Sequence, residues 1–275
     1  MLRFKWKSDL FLAEHHLRFE AFNMPSNHYH DAYEIYYLVS GERRYFIKDR
    51  TYHIITGDLV IINTNELHKT NQAGSPFHER IMLNFKKEFL KGWDESNTFL
   101  SIFNRGVNVL RLDPLQQSRI HELLLKIINE CENQHEGFME YSKALLMELL
   151  IQIFRYLQQT PRIIQDQSSE TLEKIFEVVR YLNDHYHEHL TLKTIKDRFF
   201  ISPYHFSRTF KKITGFNFIE YLNSVRTREA QKLLKESKLS ITEISAKVGF
   251  DNLTHFGRVF KKIAGVSPSY YRKTH

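Results

Sequence analysis

The sequence predicts an α+β multidomain chain. An antiparallel β domain backed by a helical hairpin comes first, followed by an all-α domain with two helix-turn-helix units joined by a linking helix. Three observations carry this. Short segments of period-two alternation follow one another through the first 112 residues. From residue 113 the apolar period changes to 3.6. Finally, residues 205–215 (His-Phe-Ser-Arg-Thr-Phe-Lys-Lys-Ile-Thr-Gly) return at 255–265 (His-Phe-Gly-Arg-Val-Phe-Lys-Lys-Ile-Ala-Gly), matching at eight of eleven positions with an offset of 50. Two copies are too few for a solenoid and indicate a duplicated small unit.

The 275 residues, 42% of them hydrophobic, suffice for two globular cores. The single cysteine, Cys131, excludes an intrachain disulfide and suits a reducing, cytoplasmic setting. The N-terminus mixes charge with apolar residues and lacks the apolar region of a signal peptide. The most apolar window, 144–154, contains Glu148 and Gln152 and is far too short for a membrane span. Charge is uneven: residues 172–275 hold 19 Lys+Arg against 10 Asp+Glu, and residues 1–171 hold 20 against 22. A basic domain joined to a near-neutral one is the footprint of nucleic-acid binding, although an acidic protein partner would also satisfy the charge.

Strands are predicted at 17–22, 33–39, 44–48, 58–62 and 79–85, separated by the turn signals Ser40-Gly41, Lys48-Asp49 and Thr56-Gly57-Asp58. This spacing specifies an antiparallel sandwich or barrel over residues 1–112. Within it stands His28-Tyr-His30-Asp-Ala-Tyr-Glu34, followed by Gly41, Gly57 and His68. One extended segment would turn His28, His30 and Glu34 to the same face. The spacing His-x-His-x3-Glu-x6-Gly resembles the first motif of the cupin superfamily. The second motif is met only at Gly57 and His68, with Asn63 and Asn65 where proline and glycine are usual. The resemblance implies a cupin-like barrel serving as a sensor, with a pocket drawn from His28, His30, Glu34, Tyr36 and His68. In metal-binding cupins the matching His28, His30, Glu34 and His68 would be ligands, a donor set that suits iron, nickel, zinc or manganese. An organic ligand in the interior is the alternative, and no cofactor is expected. Tyr29, Tyr33, Tyr36, Tyr37, Tyr45 and Phe46 are either core or a stacking wall for a small apolar or sugar-like molecule.

Asp113-Pro114 is a helix start, with Asp as cap and Pro at the first helical position. Ile120, Leu123, Leu124, Ile127, Ile128 and Cys131 then recur at helical spacing, and a second helix from about Phe138 carries Leu145, Leu146, Leu149, Leu150, Ile153, Phe154 and Leu157. These helices form an αα-hairpin over residues 113–160. Its second stripe is wide enough to meet both the β domain and another subunit, so a homodimer is expected alongside packing within the chain. Residues 161–171 break the pattern and read as a linker.

The C-terminal domain occupies residues 172–275, with helix-turn-helix units at about 191–213 and 240–263. Thr191, Ser202-Pro203, the Ser240-x-x-Glu243 capping box and Asp251/Asn252 mark helix starts, while Gly215 and Gly265 mark helix ends. Phe206, Phe210 and Ile213, like Phe256, Phe260 and Ile263, form an apolar back behind a basic front. A continuous helix over 218–235 links the units. The strings Ser202-Pro203-x2-Phe206-Ser207-Arg208-x-Phe210-Lys211-Lys212-x2-Gly215, Tyr221-Leu222-x3-Arg226-x3-Ala230-x2-Leu233-Leu234, Ile244-x3-Val248-Gly249-Phe250 and Phe256-x-Arg258-x-Phe260-Lys261-Lys262-x2-Gly265-x-Ser267-Pro268-x2-Tyr271-Arg272 resemble the DNA-binding domain of AraC/XylS-family transcriptional regulators. One departure is Lys196, where the family usually has a small residue; it leaves the first unit looser or its stem snorkels.

The resemblance implies a regulator, more often an activator, that binds double-stranded promoter or operator DNA and contacts RNA polymerase under control of a small-molecule effector in the barrel. Tyr204, Ser207 and Arg208 of the first recognition helix, and Leu253, Thr254, His255 and Arg258 of the second, would face bases. Lys211, Lys212, Lys261 and Lys262 would hold phosphates. The alternatives for the N-terminal domain are a metal-dependent cupin enzyme and a ligand-independent dimerisation module. No catalytic residue is assigned.

Overall fold

The computed structural model describes residues 1–24, 29–159 and 170–274, which group into two compact units, one mostly before residue 160 and one mostly after 169. His28 and nearly all of the expected linker lie outside the described residues.

The first unit contains strands β1 (Leu2–Lys7), β2 (Phe11–Arg18), β3 (Tyr33–Ile47), β4 (Arg50–Ile55), β5 (Asp58–Ile62), β6 (His68–Gln72), β7 (His78–Phe85) and β8 (Val109–Arg111). They hydrogen-bond in the antiparallel order β1-β2-β7-β3-β5-β8, with β4 and β6 also on β3. Among the described residues this path is open, so the pairings establish an antiparallel β-sheet domain without its closure into a barrel.

β5 and β7 stand where alternation predicts them, and three expectations need correction. The separate strands at 33–39 and 44–48 are one strand, β3. Ser40-Gly41 makes a bulge there rather than a turn: the register slips between Leu38 and Ser40, and Gly41 has φ +95°. A Cβ at Gly41 would lie 2.5 Å from the Phe77 carbonyl oxygen, so only glycine fits this bend. The strand placed at 17–22 lies at 11–18, its alternation disguised because Glu14 is buried where an apolar residue is usual. His30 precedes β3 across the bend at 31–32 and so does not share one extended strand with Glu34.

Alternation gives the sheet two chemically distinct faces. Phe11, Ala13, Ile35, Tyr37, Ile81, Leu83 and Phe85 pack with Leu124, Ile127, Leu146, Leu149 and Leu150 of helices α1 (Pro114–Asn133) and α2 (Phe138–Gln159). Full burial of one such leucine contributes about 1.5–3 kcal/mol. Asp113 caps α1, its Oδ1 accepting from the Gln116 N–H at 2.9 Å. The α2 stripe Leu145, Leu146, Leu149, Leu150 and Ile153 is buried against its own chain, leaving Leu115, Leu125 and Tyr141 as the exposed large apolar residues of the hairpin among those described.

The second unit has helices α3 (Glu170–Asp184), α4 (Leu192–Phe199), α5 (Pro203–Thr214), α6 (Phe218–Glu236), α7 (Ile241–Lys247), α8 (Leu253–Ala264) and α9 (Pro268–Thr274). α4 and α5 form the first helix-turn-helix against α3 and the front half of α6, where Phe210 meets Tyr221 at 5.6 Å and Phe206 meets Phe218 at 5.9 Å between ring centroids. α7, α8 and α9 close on the rear half of α6 through Ala230, Leu234, Ile244, Val248, Phe250, Phe256, Phe260 and Tyr271. Thr191, Ser202, Ser240 and Asn252 each cap the helix they precede, and Gly215 and Gly265 end α5 and α8 at φ +79°. Lys196 is exposed on α4, so its length costs the first unit no packing.

The two turns achieve their left-handed residue differently. Gly249 (φ +89°) sits where a Cβ would lie 2.8 Å from the carbonyl oxygens of both Tyr186 and His187. In the first unit Phe200 takes the left-handed conformation (φ 55°) with its side chain 92% exposed. A left-handed non-glycine residue costs about 1–2 kcal/mol. Gly249→Ala is therefore expected to destabilise the C-terminal domain by about 2 kcal/mol or more. Phe200→Gly should leave stability unchanged or raise it by up to about 1 kcal/mol. Urea unfolding of the two variants, followed by helical circular dichroism, checks this opposite ordering.

Candidate nucleic-acid interface and ligand face

The recognition helices α5 and α8 are built alike. Phe206 and Phe210, and in the second copy Phe256 and Phe260, sit fully buried at i and i+4. This turns the remaining positions outward. Tyr204 (78% exposed), Ser207 and Arg208 stand on the first helix, with Leu253 (46% exposed), Thr254, His255 and Arg258 on the second. Arg208 and Arg258 occupy the sixth position of their helices. Lys211, Lys212, Lys261 and Lys262 are exposed in the last turns. Among the described residues the ion pairs within this domain are Lys174–Glu170, His189–Asp251 and Arg228–Glu229, so these four lysines and two arginines keep their charge for an outside partner. His255 is held by an edge contact with Phe250 at 5.6 Å.

The relation between the two helix-turn-helix units is set by one arginine of α6. Arg226 on α6 donates to the Tyr186 carbonyl at 2.7 Å and the Glu188 carbonyl at 2.8 Å, and its guanidinium lies 5.5 Å from the Phe250 ring centroid. It thus ties the α3–α4 loop of the first unit to the turn of the second.

The face of the N-terminal sheet turned away from α1 and α2 combines a second apolar cluster, including Leu38, Ile47, Val60 and Ile62, with buried polar side chains. His30, Glu34 and His68 meet there, with candidate ligand atoms all within 4.8 Å of one another. His30 Nε2 lies 3.1 Å and His68 Nε2 3.8 Å from Glu34 Oε2. His30 Nδ1 donates to the Ala32 carbonyl at 2.9 Å and His68 Nδ1 to the Glu66 carbonyl at 2.8 Å, which directs both Nε2 atoms at the carboxylate. Tyr45 donates its hydroxyl to Glu34 Oε1 at 3.0 Å, and the Asn84 amide donates to Glu34 Oε2 at 3.2 Å. Burial opposes charge on His30, but the hydrogen bond and charge of Glu34 outweigh it and raise its pKa. By distance and backbone support these three donors could hold a cation, or hydrogen-bond a polar ligand. Asn65 shows how the altered second motif is accommodated: it adopts the left-handed conformation (φ 57°) that glycine usually fills, and its N–H donates to the His30 carbonyl at 2.8 Å.

Tyr36 and Tyr45 share this face, with rings 5.2 Å apart, whereas Tyr37 belongs to the helix-packed core. Three arginines on the polar face, Arg18, Arg43 and Arg80, went unread in the sequence.

Comparison with known proteins gives two family matches in order along the chain: the AraC-like ligand binding domain at residues 12–150 and the helix-turn-helix domain at residues 195–274. The chain is 26% identical over 221 residues to the arabinose operon regulatory protein of Salmonella typhimurium, covering 78% of this chain and 74% of that protein. It is 26% identical over 250 residues to the HTH-type transcriptional activator RhaR of Shigella dysenteriae, covering 90% and 86%. With the uncharacterized HTH-type transcriptional regulator YijO of Escherichia coli it shares 32% identity over 156 residues, spanning 56% of this chain and about half (53%) of that protein. Among the described residues no helix is long and apolar enough to cross a membrane. These matches, in the same order as the sheet domain and the twinned helix-turn-helix domain, place the chain in the AraC/XylS family: it is a DNA-binding transcriptional regulator controlled by a ligand-sensing N-terminal domain.

Proposed function

We propose that the chain is a transcription activator whose operator binding is set by a small effector held against the polar face of its N-terminal domain. The observation that carries this reading is the pairing, in one chain, of two outward-facing basic recognition helices with a sheet face of buried polar side chains. In this reading residues 1–112 close as a cupin-like barrel, residues 113–160 mediate homodimerisation, 161–171 link and 172–275 bind DNA. Activation through RNA polymerase draws support from the activator RhaR among the relatives.

In the DNA complex Tyr204, Ser207, Arg208, Leu253, Thr254, His255 and Arg258 read bases, and Lys211, Lys212, Lys261 and Lys262 grip phosphates. Their exposure, and the lack of ion pairs on these basic side chains among the described residues, support these roles. The two units enter successive major grooves on one face of the duplex, about 34 Å apart. His30, Glu34, Tyr36 and His68, with His28 beyond the described residues, contribute to the effector pocket.

Arg258→Ala should lose about 1–3 kcal/mol of discrimination at one or two base pairs. Lys262→Ala should weaken every sequence alike and lower the salt slope by about one. Titrations against singly mutated operators at several salt concentrations separate these outcomes, and uniform weakening by Arg258→Ala would remove its base-reading role. A metabolite panel should contain a member that shifts both thermal midpoint and operator affinity. A panel without such a member would leave a constitutive DNA binder.

A further inference from the structure

The polar face of the sheet carries more positive charge than its carboxylates answer. Arg43 is fully buried. Its Nε donates to Thr70 Oγ1 at 3.3 Å and one Nη to the Phe22 carbonyl at 2.7 Å, while the other Nη is buried without a hydrogen-bond partner among the described residues. The Nε of Arg18 is in the same condition, its guanidinium 3.8 Å from the Phe22 ring centroid, with that of Arg43 5.8 Å from the same ring. Arg80 lies 5.6 Å from the Tyr36 ring centroid, and the buried Tyr36 hydroxyl also lacks a partner among the described residues.

The ion pairs of this face lie elsewhere. Glu14 pairs with Arg80 at 2.5 Å, Lys5 at 3.4 Å and His16 at 3.4 Å, and Glu34 is engaged with His30 and His68. Among the described residues Arg18 and Arg43 therefore have no carboxylate at ion-pair distance, Glu14 reaching Arg18 only through its field. The field they create is visible at His78, which faces Arg18 across β2 and β7. Burial first, then the charge of Arg43, with Arg80 and Arg18 adding, pushes its pKa down to about 4.

An unpaired guanidinium with an idle donor is among the most costly groups to bury, and it persists where its partner comes from outside the chain. The planar fork of arginine matches the oxygens of a carboxylate or phosphate, and a phenol hydroxyl can donate to either. Phe22, Tyr36 and Tyr45 supply apolar surface for a carbon body. We infer that the effector of this regulator is an organic anion whose carboxylate or phosphate group is bound by Arg43 and Arg18, with Arg80 and the Tyr36 hydroxyl beside it. This rests on the effector-pocket reading and names the chemical class that the pocket takes.

Thermal unfolding of the full-length chain with glucose, glucuronate or glucose phosphate at about 10 mM, each matched in ionic strength with chloride, tests it. Acetate and inorganic phosphate serve as bare headgroups. At least one anionic probe is expected to raise the N-terminal midpoint by about 3 °C or more, with glucose inert. Response to glucuronate or to glucose phosphate assigns the headgroup as carboxylate or phosphate. The gain should vanish in Arg43→Gln and in Arg18→Gln, which leave every basic residue of the DNA surface in place and so locate the anion on the sheet face. Arg18→Gln carries the test alone should Arg43→Gln not fold. No shift with any anion, or an equal shift in the arginine variants, overturns the inference. An uncharged member of the metabolite panel that changes operator affinity while every anion fails overturns it too, yet leaves effector control intact.

Discussion

One helix holds the DNA-binding domain together, because α6 is the wall against which both helix-turn-helix units are built. Its front half buries Phe218, Tyr221, Leu222 and Val225, and its rear half buries Ala230 and Leu234 with the second unit. A shared helix alone would fix the distance between the units and leave their relative twist to side-chain packing. Arg226 adds the missing restraint, since its two hydrogen bonds to carbonyls of the 185–189 loop and its position over Phe250 span both units. Charge-assisted bonds of this kind contribute about 1.5–3 kcal/mol each. Gly249 follows from the same junction, as the loop backbone presses so close that no side chain fits there. The recognition helices are thus presented as a pre-set pair, and DNA binding need not order them at the expense of affinity.

The N-terminal domain answers to a different constraint, the strict alternation of strand side chains. The odd positions of β2, of β3 ahead of its bulge and of β7 are mostly apolar and mate with α1 and α2, His15 and Glu79 being polar exceptions that pair with each other. The even positions are therefore available for charge, and they carry Glu14, Glu34, Arg80 and Asn84, with Arg18 and Arg43 beside them. A sensor needs a ligand to bind one arrangement better than another. Groups whose hydrogen-bonding capacity is unmet in the free protein supply that difference, because they gain most when a partner arrives.

Legibility in the sequence tracked these constraints. The C-terminal helices could be placed almost to the residue, since capping side chains and glycine C-caps are local signals and the duplication checks one copy against the other. β5 and β7 were legible because each has an apolar face. β2 was displaced and β6 escaped notice for a common reason: Glu14 in one, and His68, Lys69 and Thr70 in the other, are buried polar residues, and burial of polarity has no period-two apolar signature. The bulge at Gly41 mimics a turn, because left-handed glycine serves both. The His30–Glu34–His68 grouping was legible from spacing, although His30 reaches Glu34 by folding back across a bend rather than along a strand. The arginines were not, because their convergence depends on pairing among β2, β3 and β7, which is non-local.

The two copies of the repeat match at the buried aromatic positions and at the exposed His205/His255, Arg208/Arg258 and lysine positions, and differ at other exposed positions near the helix N-termini. Phe206, Phe210 and Gly215 match Phe256, Phe260 and Gly265, and the terminal lysines match as well. At the helix N-termini, by contrast, Tyr204 and Ser207 stand opposite Thr254 and Gly257. A phenol and a hydroxyl offer hydrogen bonds and stacking; the second helix offers Leu253, Thr254 and open backbone at Gly257, with only ordinary space around it. Packing therefore holds the scaffold constant while the exposed chemistry of the helix N-termini differs; under the proposed base-reading roles the two units would read different sequences, since base edges rather than phosphates carry sequence information. Because the junction at Arg226 lets neither unit exchange places with the other, the domain has a front and a rear. A site read by such a domain is directional, a property useful to a regulator that must face a promoter one way.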